Sequence, residues 1–227
     1  MGKATGNEDF VDFGLPSGNL WAKCNIGADK PWIKGDYFAW GEIAPKSDYS
    51  WETYKYCNGM WNGMTKYVKG DKYCATSLSD GLRNLEPVDD VAYMTYGDSY
   101  MIPTIDDWNE LCNNSFVQWT DNYNNTNVPG CIVYRAKKNE EKGRFGKASS
   151  SYTLADMHIF LPAGGFIEGT TIKCGVTHSV YWTSTVSAIC SNNGGDYIFY
   201  AKESAYSGEL RCVGLLVRAI KKVNVTE

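Results

Sequence analysis

The sequence predicts a single α+β domain in which short strands and long turns outweigh helix. Three observations carry that prediction. Aromatic residues are dense, with 16 Tyr, 8 Trp and 8 Phe, and 23 of the 227 residues are Gly. Such side chains suit pleated, half-buried surfaces, while glycine marks turns. Leucine is sparse, and only two segments carry helix signals. A chain of this length buries a sizeable core without disulfides or metals.

The elements follow in order. Residues 1–9 are polar and read as a flexible tail with no secretory signal. Phe10 to Trp21 reads as a hairpin turning at Pro16-Ser17-Gly18-Asn19. Asp36 to Glu42 is a second buried segment closed by Gly41. Residues 46–85 show no period and read as long ordered loops pinned by aromatics. Pro87 to Gly97 has acids at its start and a glycine stop, which predicts a helix. Pro103 to Cys112 predicts a second one. There Thr104 and Asp107 form a capping box, and Ile105, Trp108, Leu111 and Cys112 make one apolar face. Beyond it come strands and turns. Asn122 to Asn127 is a polar loop and 137–151 an exposed one. His158 to Gly165 reads as a buried strand ending in a turn, and further strands are expected at Val180 to Ser184, Tyr197 to Tyr200 and Leu210 to Ile220. No linker or repeat divides residues 10–221, and 222–227 reads as a tail.

Charge and motifs exclude several functions. The net charge of -4 gives no basic footprint for nucleic acid. No apolar run reaches membrane-span length. Neither a phosphate loop nor a nucleophile elbow nor a metalloprotease motif occurs. The only histidines are His158 and His178. His158 lies in an apolar strand and reads as a satisfied core imidazole, whereas His178 opens a polar segment and is open to a ligand. Asp89-Asp90 and Asp106-Asp107 sit at helix starts, where they compensate the helix dipole. The eight cysteines are at least sixteen positions apart, so no C-x-x-C motif exists. Packing as buried free thiols is the expected state, with one or two disulfides as the alternative. No cofactor or metal site is expected.

His178 to Glu209 stands apart. Of its 32 residues, 17 are Tyr, Ser, Thr, Asn or Gly. Binding surfaces favour this mixture, because Tyr gives contact area at low entropic cost and Ser, Asn and Gly adapt their hydrogen bonds. An ordinary pair of exposed loops has a similar composition. Apolar, strand-like flanks at Val180-Tyr181-Trp182 and Arg211 to Ile220 favour the binding surface, since sites are carried by rigid elements.

An ordered series of motifs carries a resemblance. It runs Gly14-Leu15-Pro16-Ser17-Gly18-Asn19-Leu20-Trp21-Ala22, Tyr37-Phe38-Ala39-Trp40-Gly41-Glu42, Asp89-Asp90-Val91-Ala92, Pro103-Thr104, Phe160-Leu161-Pro162-Ala163-Gly164-Gly165, Tyr181-Trp182-Thr183-Ser184 and Gly214-Leu215-Leu216-Val217-Arg218-Ala219. The series, over about residues 10–221, resembles the C-type-lectin-fold domains of gut Bacteroidetes and their phages. These are relatives of the formylglycine-generating enzyme, and some are variable proteins of diversity-generating retroelements. The resemblance implies a C-type lectin-like fold, with two helices packed on small antiparallel sheets and long loops between. It implies a non-enzymatic ligand-binding protein whose variable region, 178–221, displays rewritten residues on an exposed sheet face. The positions implied are Tyr181, Thr185, Val186, Ser187, Ile189, Cys190, Asp196, Ile198, Tyr200, Lys202, Glu203 and Tyr206. Phe199 should point to the core. Alanine at Tyr197, Tyr200 and Tyr206 should remove binding without unfolding. The implied partner is a protein or glycan on another cell's surface, and the implied location a phage particle or a bacterial surface. The alternatives are a fixed-sequence adhesive or structural module of the same fold and, behind it, an enzyme of the formylglycine-generating type. The paired reactive cysteines of the enzyme relatives are not matched, Cys212 having no evident partner.

Overall fold

The computed structural model describes residues 9–146, 150–201 and 203–223. The expected tails at 1–9 and 222–227 therefore lie almost wholly outside the described residues, as does Lys202. The architecture is mixed α+β, with two short α-helices among mostly small sheets.

The first sheet joins the two ends of the described chain. The hairpin of β1 (Phe10–Asp12) and β2 (Leu20–Ala22) forms as expected, with Gly18 at φ +71° in its turn. On the other side of β2 lies β15 (Ile220–Lys221), followed by β4 (Tyr100–Met101). The second sheet has five strands, in the order β13 (Ser204–Leu210), β12 (Asn193–Phe199), β11 (Ser179–Val186), β14 (Leu215–Leu216), β3 (Tyr37–Phe38). The third runs β7 (Arg144–Phe145), β5 (Ser115–Thr120), β6 (Gly130–Arg135), β8 (His158–Pro162). A small hairpin pairs β9 (Phe166–Glu168) with β10 (Thr171–Lys173). The sheets are not purely antiparallel, because β11–β14 and β5–β7 are parallel pairs.

Both helices have the predicted punctuation. Helix α2 (Ile105–Asn114) carries the full Thr104–Asp107 capping box and buries Trp108, Leu111 and Cys112, while Ile105 stays half-buried. Helix α1 (Val91–Tyr96) is shorter than expected. Pro87–Asp89 forms a separate 3-10 turn, and Asp90 caps α1 by accepting from the amides of Ala92 and Tyr93. Asp89 is a correction to the dipole reading. Its carboxylate, 1% exposed, is the hub of the long 39–86 excursion. It takes Lys66 Nζ at 2.7 Å, Lys55 Nζ at 3.2 Å, the Tyr67 hydroxyl at 2.7 Å and the Tyr56 hydroxyl. Burial pushes this carboxyl up, but these donors outweigh it and hold it at about 2. The excursion is otherwise pinned as expected, with the hydroxyls of Tyr49 and Tyr54 donating to the carbonyls of Tyr37 and Trp40.

Two large aromatic clusters form the interior. In one, Trp108 of α2 meets Trp21 at 4.6 Å and stacks on Tyr197 at 5.5 Å. In the other, the Trp40 and Trp182 indoles donate to the carbonyls of Thr183 and Phe38. The central strands β11 and β12 lie between these clusters, so both of their faces are covered.

The segment 211–220 is buried throughout but is not one strand. It breaks because Arg211 and Arg218 turn inward to serve carbonyls elsewhere. Arg218 donates to Asn25 Oδ1, Ala22 O and Phe160 O at 2.7–2.9 Å. Arg211 donates to the carbonyls of Lys66, Tyr67 and Asn193 and lies over the Trp40 ring at 4.6 Å. All eight cysteines are free; Cys112, Cys131 and Cys212 are buried, but Cys174 is exposed, against expectation. His158 is satisfied as expected, bonded to the Tyr123 hydroxyl at 2.9 Å and to the Asp156 carbonyl at 2.7 Å.

Candidate functional site

The Tyr/Ser/Asn/Gly-rich stretch is more regular than its composition suggests. Most of it is the β12–β13 hairpin, paired at every position from Asn193–Leu210 to Phe199–Ser204. The signal for β13 was missed because Ser204-Ala205-Tyr206-Ser207-Gly208-Glu209-Leu210 has weak strand propensity; the ladder along β12 makes the strand. Two of the glycines are steric necessities. A Cβ at Gly194 would sit 2.5 Å from the Trp40 ring, and one at Gly208 would sit 2.5 Å from Ser187 Oγ.

The expected site residues separate into three sets. Tyr181, Val186, Ser187 and Asp196 are buried, none more than 5% exposed. They correct the expectation of an exposed sheet face, since β11 and β12 are covered on both sides. Tyr181 contacts Trp108 at 5.6 Å, and Ile198 packs half-buried against the Trp182 cluster. Phe199 is fully buried, as expected. Tyr197 is only 6% exposed and belongs to the interior, so its alanine variant tests stability and not binding.

A second set lies at the hairpin turn. Tyr200 is half-buried with its ring edge-on to His178 at 5.1 Å, its amide bonds to the Glu203 carbonyl, and Glu203 is exposed. The third set lies at the other end of β11 and β12. Thr185 is half-buried, its hydroxyl accepting from the Ile105 amide at 3.3 Å. Ile189 is 71% exposed, and Cys190 and Tyr206 are half-buried. Tyr206 pairs with Tyr197 only three positions from Glu203 and reaches the loop through its hydroxyl; the strands hold Thr185, Ile189 and Cys190 apart from the second set by roughly 20 Å at about 3.3 Å per residue. They do not form one patch.

The backbone of the third set is fixed from outside. The Val186 amide donates to Arg83 O at 2.8 Å, and Lys69 Nζ donates to Ser187 O. The Ala188 amide donates to the Tyr206 hydroxyl at 3.3 Å and the Ile189 amide to Ser187 Oγ at 3.2 Å. The Ser191 amide donates to Asp71 Oδ2 at 2.8 Å, while Ser191 Oγ accepts from the Lys69 amide. Burial works against the ionised form of Asp71, but the amides of Ser191 and Tyr73 hold its carboxyl below the ordinary value. Lys69, Asp71 and Arg83 were not found by sequence reasoning. They lie more than a hundred positions from the loop they brace, and nothing local marks them.

Asp196 is electrostatically unlike its surroundings. It is 1% exposed, and among the described residues neither carboxylate oxygen makes a well-formed hydrogen bond, the Glu209 amide lowering its carboxyl only slightly. Burial, with a smaller push from Glu209 on β13, raises its carboxyl to about 7. Burial also raises Glu209, with Glu168 adding to it. Cysteine chemistry is muted. Burial pushes the Cys212 thiol up to about 12 and the Cys112 thiol to about 11, so both are neutral thiols at neutral pH. Among the described residues no group of three or more His, Cys, Asp or Glu is placed to hold a metal ion. Among the described residues no helix is long and apolar enough to cross a membrane.

A scan against protein-family models finds no match, and neither a search of curated proteins nor one of solved structures finds one.

Proposed function

We propose that this chain is a non-enzymatic ligand-binding domain of the C-type lectin-like fold, with its ligand face at the 185–191 loop. The fold reading is supported by the union of the chain's first and last strands in one sheet, by the long aromatic-pinned excursion of 39–86 and by the late five-stranded sheet. One observation carries the binding reading. The loop backbone is tied down at nearly every residue, while the Ile189 side chain is 71% exposed and Ala188 is exposed beside it. A rigid backbone presenting side chains that the interior does not use pays little ordering entropy on binding. The same property lets those side chains vary without cost to the fold, as a retroelement variable protein requires. The ligand is a protein or glycan of another cell's surface, met from a phage particle or a bacterial surface.

Burial of Tyr181, Val186, Ser187 and Asp196 favours a second reading. It leaves few displayable positions, as suits a fixed-sequence adhesive module with the same ligand face. Sequencing the DNA around the gene separates the two. The diversified reading expects a near-copy of the 178–221 coding segment beside a reverse transcriptase gene, differing at template adenines in the codons for Ala188 to Cys190. Absence of such a copy leaves the fixed-sequence reading. Binding to cells that survives Ile189→Arg together with Ala188→Glu would sink the ligand face under both.

A further inference from the structure

We propose that the cavity bounded by the end of α2, β7 and the start of β13 binds a free α-amino acid with an apolar side chain. The cavity holds about 270 Å³, the scale of a small metabolite. Its lining divides by chemistry. Val117, Phe145 and Tyr197 supply apolar wall, and Arg144 and Glu203 supply one charge of each sign. Among the described residues, neither charged side chain has an ion pair or a hydrogen bond, and the two do not pair with each other. Two opposite charges that line one cavity without meeting are complementary to a ligand that carries both.

An α-amino acid at neutral pH is such a ligand. Its carboxylate suits the planar fork of the Arg144 guanidinium, which binds carboxylates bidentately. Its ammonium group suits the Glu203 carboxylate. Helix α2 favours the same cation, because Cys112 and Asn113 of its last turn line the cavity and no basic residue neutralises that end. The apolar wall then takes the side chain. A neutral hexose would leave both charges without a counter-ion, which disfavours it. The floor is set by fixed groups: Trp108 stacks on Tyr197, and Cys112 contacts the side chains of Tyr197 and Ser204. The cavity lies on the α2 side of the sheet, by the hairpin turn, at the far end of β12 from the 185–191 loop. The proposal therefore stands independently of the ligand face described above.

Isothermal titration calorimetry on the full chain tests it, with leucine, leucine amide, N-acetylleucine and glucose as probes. Leucine is expected to bind, and each derivative lacking one charge to bind at least about tenfold more weakly. Arg144→Gln should weaken leucine and N-acetylleucine but leave leucine amide unchanged. Glu203→Gln should weaken leucine and leucine amide but leave N-acetylleucine unchanged. Both side chains are exposed, so the melting temperature should not move, which excludes misfolding as the cause. The proposal is overturned if leucine, valine, methionine and phenylalanine all fail to bind at millimolar concentration. It is equally overturned if both variants bind leucine as the parent does, or if glucose binds as tightly as leucine.

Discussion

Arg218 and Asp196 are both charged residues sealed inside the protein, at 0% and 1% exposure. Their surroundings could hardly differ more. Arg218 is met by Asn25 Oδ1 and two backbone carbonyls, so each side of its guanidinium has an acceptor. Neither Asp196 carboxylate oxygen makes a well-formed hydrogen bond among the described residues; the Glu209 amide favours its ionised form only weakly, and the charge acting on it, that of Glu209, has the same sign. Burying a charge is tolerable when hydrogen bonds replace water and costly when they do not. The buried charge that joins the terminal sheet to the core is thus fully paired, whereas the hairpin next to the 185–191 loop contains one that is not. Such local inconsistency is expected near functional surfaces, where a position answers to something other than stability.

The comparison can be broken first at its well-satisfied end. Arg218→Met should cost about 3–5 kcal/mol, because it orphans Asn25 and the carbonyls of Ala22 and Phe160 together; urea denaturation measures it. Tyr197→Ala, which removes the ring stacked on Trp108, should cost about 3 kcal/mol by the same assay.

The poorly satisfied end has the opposite sign. In the folded protein the Asp196 carboxyl is raised from 3.8 to about 7. Well below pH 3.8 both folded and unfolded states hold the proton, and stability is at its full value. As pH rises through 3.8 the unfolded state ionises while the folded state does not, so stability falls until pH passes about 7. Asp90, which burial raises to about 6, adds to the same slope. Asp196→Asn should therefore stabilise the protein by about 4 kcal/mol at pH 8, have little effect at pH 4 and flatten the profile between. Thermal melts across that range decide it, and an unchanged profile would mean that Asp196 is ionised inside the fold. The smallest effect belongs to the 185–191 loop. Ile189→Ser should change stability by less than about 0.5 kcal/mol, since the loop is held by its backbone.

What could be read from the sequence was local. The Thr104–Asp107 capping box, the Pro16–Asn19 turn and the burial of Phe199 depend on neighbours within a few positions, and all stand as read. What could not be read depends on partners far along the chain. Asp89 follows Pro87 in a plausible helix start, but its donors come from residues 55–67, which no local pattern announces. Tyr181 and Asp196 point to opposite faces of the β11–β12 pair, yet neither face is exposed: Tyr181 packs against Trp108, and Asp196 lies on the side of Trp182 and Trp40. The strand β13 exists only because β12 offers it a ladder. Composition located the region 178–209 but could not tell a fixed loop end from a buried strand centre.

Strands β1 and β15 both pair antiparallel with β2, one on each side, so they run parallel to each other. The chain enters the sheet at the start of β1 and leaves it at the end of β15, and these points lie at opposite ends of the sheet. A tensile load applied through the two ends is directed along the strands. It shears the hydrogen bonds flanking β2 all at once instead of peeling them one by one. A domain held by its termini while its loop grips another surface would transmit that load through the sheet and leave the distant hairpin undisturbed.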